Sequence, residues 1–390
     1  MTLLLASVTG PAEAELAVAH DADIIDLKDP ERGALGAIAP ATVRAAVTRI
    51  AGRRPTSAVC GDLPMQPDVV VDAAEAMAAT GADYVKVGLF ADARRLDCIR
   101  ALAPLARQTK VIGVLFADAG LEPTLLPLLA ESGFTGVMLD TAQKGAGRLL
   151  DYVDFAGLEE FVRAGHAHGL LTGLAGSLEA PDVPRLLLLT PDYLGFRGAL
   201  CAAHDRTAGL DPSAIDIIRA LIPKDARAKR LDPVKPDPRL HPMRASADRR
   251  KDDETDRVFV HDLVLPVHVG VYARERLAAQ DVRFNVDVEI TRAAQFVQDM
   301  RDVLSYDIII DGIRLIVASG HIPLVETLAE RIAGFLLAHA RVQQVTVKIE
   351  KLAAGPGRVG VEIKRRRPPE VAKVYQLYPA AAGDGRTPAE

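Results

Sequence analysis

Asp26 and Lys28 stand two residues apart at the end of a short apolar run, in DADIIDLKDP from Asp21 to Pro30. Side chains two apart in a strand share a face, so a carboxylate and an amine share one strand mouth. A lysine held near charged partners in a walled site can have its pKa lowered and attack a carbonyl as a nucleophile. A surface ion pair at a strand end is the plainer alternative. Comparable places further along the chain weigh against it. GDLP carries Asp62, YVKVG carries Lys86, and MLDTAQKG carries Asp140 and Lys144. An amine that forms an imine, ringed by carboxylates that move protons, is the equipment of Schiff-base aldol chemistry. Two further loops, LAGS with Gly176 and Ser177 and GFRG with Arg197 and Gly198, offer backbone amides and a cation to an anion. Tight turns on ordinary glycines are the alternative there; a phosphorylated substrate is the inference.

The elements that must position these groups follow from periodicity. From Met1 to Lys224, short apolar runs alternate with amphipathic stretches that open near Pro11, Pro40, Pro67, Asp92, Glu122, Asp154, Glu179 and Asp211, as first turns often do. Eight strand-helix units in this length have the rhythm of a TIM (β/α)8 barrel, whose working groups sit at the carboxyl ends of the strands. A doubly wound open sheet fits less well, because no glycine-rich dinucleotide loop follows the first strand. Residues 225–256 are rich in Pro and in both signs of charge and read as a linker. Residues 257–367 read as strand, strand, helix, helix, strand, strand, a small α+β domain whose last two strands form a hairpin around Gly355-Pro356-Gly357. The tail, 368–390, has little with which to build a core.

Composition sets the outer bounds. At 390 residues, 49% hydrophobic and 25% charged, the chain reads as globular rather than disordered. A net charge of -5 gives no general reason to expect nucleic acid, and no apolar run approaches the ~20 residues that span a bilayer. Cys60, Cys98 and Cys201 match neither a disulfide framework nor a zinc pattern, which makes a reducing cytoplasm the expected compartment. His261, His268 and His321 lack metal-ligand spacing.

Through DIIDLKDP, GALGA, GDLP, GADYVKVGL, MLDTAQKG, LAGS and GFRGALC, residues 1–224 resemble the (5-formylfuran-3-yl)methyl phosphate synthases of methanofuran biosynthesis. The resemblance implies a metal-independent barrel that joins two molecules of glyceraldehyde 3-phosphate, with no cofactor. Lys28 matches the family's proposed Schiff-base lysine, and Asp26, Lys86, Asp140 and Lys144 match the catalytic groups around it. Another phosphosugar aldolase or isomerase using the same lysine is the alternative function, and a non-catalytic phosphate-binding barrel a more distant one.

Through HDLVLPVHVGVYARER, VLSYDII, LVETLAERIAGFLL, VTVKIEK and GRVGVEIKR, the second domain resembles dihydroneopterin aldolase, a tunnelling-fold family. By that resemblance Glu326 binds the pterin edge, Lys351 and Tyr306 move protons in a retro-aldol step, and Glu275 matches an acidic active-site position. The family lysine is usually followed by Pro, whereas Leu352 follows Lys351 here. That family assembles into rings with active sites between subunits, so a homo-oligomer is expected. The competing reading is a second domain that serves assembly alone.

Overall fold

The computed structural model describes residues 1–224, 255–271, 275, 277–291, 303–352 and 358–367. The first part is a closed barrel of eight parallel strands in sequential order: β1 Leu3–Val8, β2 Ile24–Leu27, β3 Thr56–Val59, β4 Tyr84–Gly88, β5 Lys110–Phe116, β6 Gly136–Asp140, β7 Leu171–Leu174 and β8 Tyr193–Phe196. β1 pairs with both β2 and β8, which closes the ring and leaves no edge. The strands are short and buried on both faces, because helices cover the outside and side chains fill the inside.

Sequence punctuation sets the helix starts. Pro11, Pro40, Pro67 and Pro212 each open a helix, where the missing N–H is one that would have no partner in the helix anyway. Asp154 and Asp211 cap helices by accepting from the amides of Gly157 and Ser213. At the amino-terminal face one device recurs. Asp23, Asp83 and Asp192, each lying just before a strand, accept from the amides of Leu4, Thr56 and Thr172 at 2.8, 2.7 and 2.7 Å, tying adjacent strands in register. That face is the stabilising end of such a barrel.

Two apolar layers follow from the alternation. The outer one packs strand residues such as Leu4, Ile25, Val85 and Leu139 against the helices. The inner one, with Leu5, Val59, Ile112, Val114, Met138 and Tyr193, plugs the barrel beneath its carboxyl mouth. Gly173 is required there, since a Cβ would lie 2.2 Å from the Tyr193 ring.

The second part is a four-stranded antiparallel sheet in the order β12-β11-β10-β9, with β9 Thr255–Val267, β10 Gln280–Thr291, β11 Val342–Lys351 and β12 Val359–Arg366. Val282, Phe284, Val286 and Val288 alternate with polar residues along β10. With Val345, Val347 and Ile349 they form the face buried under helices Tyr306–Ala318 and Val325–Leu337. β9 begins two residues inside the stretch read as a linker. The rest of that linker, the Gly355-Pro356-Gly357 loop and the tail lie outside the described residues. Helix Tyr306–Ala318 also packs against the barrel helices Phe155–Ala167 and Asp182–Leu187. There Arg185 Nε donates to Asp311 Oδ2 at 2.6 Å, and Asp311 is 1% exposed. No helix among the described residues is long and apolar enough to cross a membrane.

Candidate active site

Asp26, on β2, points into the barrel and is fully buried. The strand register places Ser7 of β1 and Ser57 of β3 on either side of it. Its Oδ1 accepts from Lys86 Nζ at 2.9 Å and Ser57 Oγ at 2.5 Å, and its Oδ2 accepts from Ser7 Oγ at 3.1 Å. Burial alone would favour the neutral acid, but the Lys86 and Lys28 charges outweigh it and hold the Asp26 carboxyl below the usual range. The serines were not foreseen. A hydroxyl at the same level on each neighbouring strand was the signal that could have found them.

A second pair forms at β6. Lys144 Nζ donates to Asp140 Oδ1 at 2.5 Å and to Thr141 Oγ1 at 3.2 Å, while the Thr141 amide donates to the same carboxylate at 2.8 Å. Burial again opposes ionisation, but Lys144 and Lys28 bring the Asp140 pKa down to about 2. The loop holding this pair is fixed by Asp118, which accepts from the amides of Ala142 and Gln143 at 2.9 and 2.8 Å.

Lys28 lies between the two pairs, one residue beyond β2, and is 7% exposed. Its backbone amide is held by the Val8 carbonyl at 3.0 Å. Its amine, in contrast to those of Lys86 and Lys144, makes no hydrogen bond or ion pair among the described residues. Burial lowers its pKa to about 8, with Lys144 and Lys86 adding to the effect and Asp140 and Asp26 resisting it. The amine opens onto a cavity of about 260 Å³ that Asp140, Lys144, Gly176, Ser177 and Arg206 also line. A lysine with a lowered pKa, beside an ionised carboxylate and a second amine, can in its neutral form add to a carbonyl and have its protons moved for it.

The other expected residues divide. Gly176 and Ser177 border the cavity, both in the left-handed region with φ 116° and 51°, and a Cβ at Gly176 would press on Thr141 at 3.0 Å. Gly198 borders it as well. Asp62 does not face it. Its carboxylate accepts from the amides of Ala34 and Leu35 at 2.9 and 2.8 Å and braces the loop after β2. Arg197 lines the cavity wall, but all its N–H groups are committed to protein. They reach the carbonyls of Arg206 at 2.9 Å, Ser7 at 3.2 Å and Ala208 at 2.8 Å, and the Glu13 carboxylate at 2.6 and 3.3 Å. Arg206, which was not foreseen, lies on a loop without periodicity that gives no sequence signal.

In the second domain, Lys351 at the end of β11 donates to Glu275 at 2.8 Å, and both side chains are 13% exposed. Glu326 lies exposed in the first turn of Val325–Leu337. Tyr306 opens the preceding helix and is 60% exposed. His321 Nε2 pairs with the Gly270 carbonyl at 2.8 Å and His261 with Asp287 at 3.1 Å.

Comparison with known proteins adds the family. The profile of 4-HFC-P synthase matches residues 4–219, and that of dihydroneopterin aldolase matches residues 258–364. A protein of Methylorubrum extorquens, named as a candidate (5-formylfuran-3-yl)methyl phosphate synthase, is 46% identical over 222 residues, covering 56% of this chain and 92% of its own length. The (5-formylfuran-3-yl)methyl phosphate synthase of Methanopyrus kandleri is 38% identical over 218 residues, covering 53% and 92%. Among solved structures, a dihydroneopterin aldolase from Burkholderia thailendensis bound to guanine is 31% identical, covering 31% of this chain and 98% of its own, with a TM-score of 0.28. With more than half its length matched by the synthase profile and the Lys-Asp cluster inside that match, the chain belongs to the 4-HFC-P synthase family and carries a dihydroneopterin aldolase-like domain after the barrel.

Proposed function

We propose that the barrel condenses two molecules of glyceraldehyde 3-phosphate into (5-formylfuran-3-yl)methyl phosphate, releasing one phosphate and two waters, through an imine at Lys28. One observation carries this reading. Of the three lysines at the barrel mouth, Lys28 alone has no ionic partner among the described residues, and burial brings its pKa to about 8. The neutral amine adds to the aldehyde carbon and water leaves, so that the resulting iminium acidifies the adjacent C–H. Asp140 and Lys144, which share the cavity with Lys28, are the pair for removing that proton and for protonating leaving oxygens. Asp26 and Lys86 lie beneath, shielded from the cavity, and act by fixing the field around Lys28. Gly176, Ser177 and Gly198 offer backbone donors to phosphate.

Borohydride reduction with glyceraldehyde 3-phosphate, followed by peptide mass spectrometry, should label Lys28. Full turnover by Lys28→Ala would overturn the reading. Furan ultraviolet absorbance separates this synthase from a different phosphosugar aldolase or isomerase.

For the second domain we infer retro-aldol cleavage of a dihydropterin side chain. Glu326 accepts from the pterin edge, and Lys351 and Tyr306 transfer protons beside Glu275. The Lys351–Glu275 pair at the strand end supports this, as does the exposure of Glu326 and Tyr306, which suits a site completed by a second copy in a ring. Glu326→Ala should weaken pterin binding, and Lys351→Ala should lower turnover with binding kept. A protein that forms rings yet neither binds nor cleaves dihydropterins would reduce the domain to an assembly module.

A further inference from the structure

The loop after β8 carries two arginines with opposite fates. Arg197 is 7% exposed, and its five N–H groups are used up on Glu13 and on the carbonyls of Ser7, Arg206 and Ala208. No donor is left for a ligand. Two of those bonds fall on either side of Thr207, so the buried guanidinium pins the loop at the residue where the second arginine emerges. The loop is also bent tightly. Ala203 and His204 both have left-handed φ, 52° and 58°, a conformation that non-glycine residues keep only when their surroundings over-determine it. The Cys201 amide on Gly198 and the Ala202 amide on Gly209 supply part of that determination.

Arg206 is held out over the cavity by this arrangement. Its Nη2 donates to the Gly33 carbonyl at 3.2 Å, on the loop that follows Lys28. No carboxylate lies within ion-pairing distance of it among the described residues. Asp140 and Asp62 supply the nearest negative field, but Asp140 is taken by Lys144 and Asp62 by backbone amides. The other cations on the cavity wall are accounted for: Lys144 is paired with Asp140 and Arg197 with Glu13. Lys28 and Arg206 remain, an amine suited to a carbonyl and a planar fork of donors suited to a phosphate.

We propose that Arg206 receives a phosphate group of the triose phosphate whose carbonyl meets Lys28, and that Arg197 is a positioning residue that holds the Arg206 loop without touching substrate. The proposal rests on the imine reading for the identity of the substrate, but not for the existence of the anion site. Burial, helped by the neighbouring Arg197 charge, disfavours the Arg206 cation by more than Asp140 and Asp62 favour it, so a bound anion would supply counter-charge that its own surroundings do not. The arrangement also explains why a barrel with glycine loops after β7 and β8 adds a cation. Backbone donors orient a phosphate, whereas its charge needs a counter-charge in a half-buried cleft.

The test compares two probes on the full chain. Borohydride trapping at Lys28 is timed with glyceraldehyde 3-phosphate and with glyceraldehyde, and the ratio of the two rates measures what the phosphate contributes. Arg206→Gln should lower that ratio roughly 10- to 100-fold, the range for a lost charge-assisted contact. Arg206→Lys should recover part of it, returning the charge but not the fork. A ratio unchanged in Arg206→Gln, with both rates falling together, would show a merely structural role and overturn the proposal. Inorganic phosphate binding, followed by calorimetric titration on wild type and Arg206→Gln, tests the anion site separately. Weaker phosphate binding in the variant alongside no label at Lys28 in wild type would sink the imine reading and leave the Arg206 site standing. Equal phosphate binding by the two proteins would sink the site whatever the chemistry.

Discussion

The pKa of Lys28 can be tested through pH alone. An ordinary lysine titrates at 10.5, whereas burial brings this one to about 8. The drop of about 2.5 pH units makes the neutral amine roughly 300-fold more abundant at pH 7, about one molecule in ten instead of one in several thousand. Imine formation needs that neutral form, so the rate of borohydride trapping at Lys28 should climb about tenfold per pH unit below 8 and level off above it. Asp140 and Asp26 stay ionised throughout that range, since their carboxyls are held low by the lysines around them, so the rise belongs to the amine. The assay is a trapping time course at fixed substrate from pH 6 to 10, read by mass spectrometry of the Lys28 peptide. A rate still rising tenfold per unit at pH 10 would mean an ordinary lysine. A label on Lys86 or Lys144 would refute the argument from pairing.

Three other outcomes follow from the same geometry. The folded pKa of Lys28 lies below its unfolded value, so its protonated form strains the fold below pH 8, and the strain is relieved between about 8 and 10.5. Lys28→Met should therefore abolish trapping and yet stabilise the fold at pH 7 by on the order of 1–3 kcal/mol, read as a higher melting temperature, with the gain shrinking as pH rises through that window. Asp26→Asn leaves Lys86 buried and uncompensated, for a loss of about 3–5 kcal/mol in urea unfolding. The double change with Lys86→Met should recover a substantial part of it. Asp311→Ala breaks the ion pair between the second domain and Arg185 and should cost about 2–3 kcal/mol of docking, so that calorimetry resolves two unfolding transitions further apart than in wild type.

The barrel was legible because its punctuation is local. Proline and acidic residues at helix starts act on neighbours within a turn. The cluster of Asp26, Lys28, Lys86, Asp140 and Lys144 was legible for a related reason. Strand alternation decides which side chains face inward, and these positions lie in or just beyond strands. Asp62, three residues past β3, and Arg197, one residue past β8, stand at strand mouths as well, and there the outcome depends on partners far along the chain. Glu13, 184 residues from Arg197, takes the guanidinium out of the site, and the amides of Ala34 and Leu35 take Asp62. A charge at a strand mouth can therefore serve the substrate or its own loop, and its sequence neighbours do not say which.

Counting charges by their partners explains why this barrel tolerates so many beneath its mouth. Asp26 with Lys86 and Asp140 with Lys144 are two neutral units, each with extra hydroxyl or amide donors on the carboxylate, and each offsets its desolvation internally. Lys28 is the remainder. Surrounded by two cations and two anions, its protonation is favoured by Asp140 and Asp26 but opposed by Lys144 and Lys86, and burial then tips the balance toward the neutral amine. Removing any one of the four partners would upset that balance and move the amine. Asp140→Asn takes away an anion that favours the charged form, and Lys144→Met takes away a cation that disfavours it, so their first effects on Lys28 are opposite in sign. The arrangement thus uses two structural ion pairs to tune a third group that belongs to neither. The same logic at the cavity rim leaves Arg206 without an ion pair among the described residues while Glu13 neutralises Arg197.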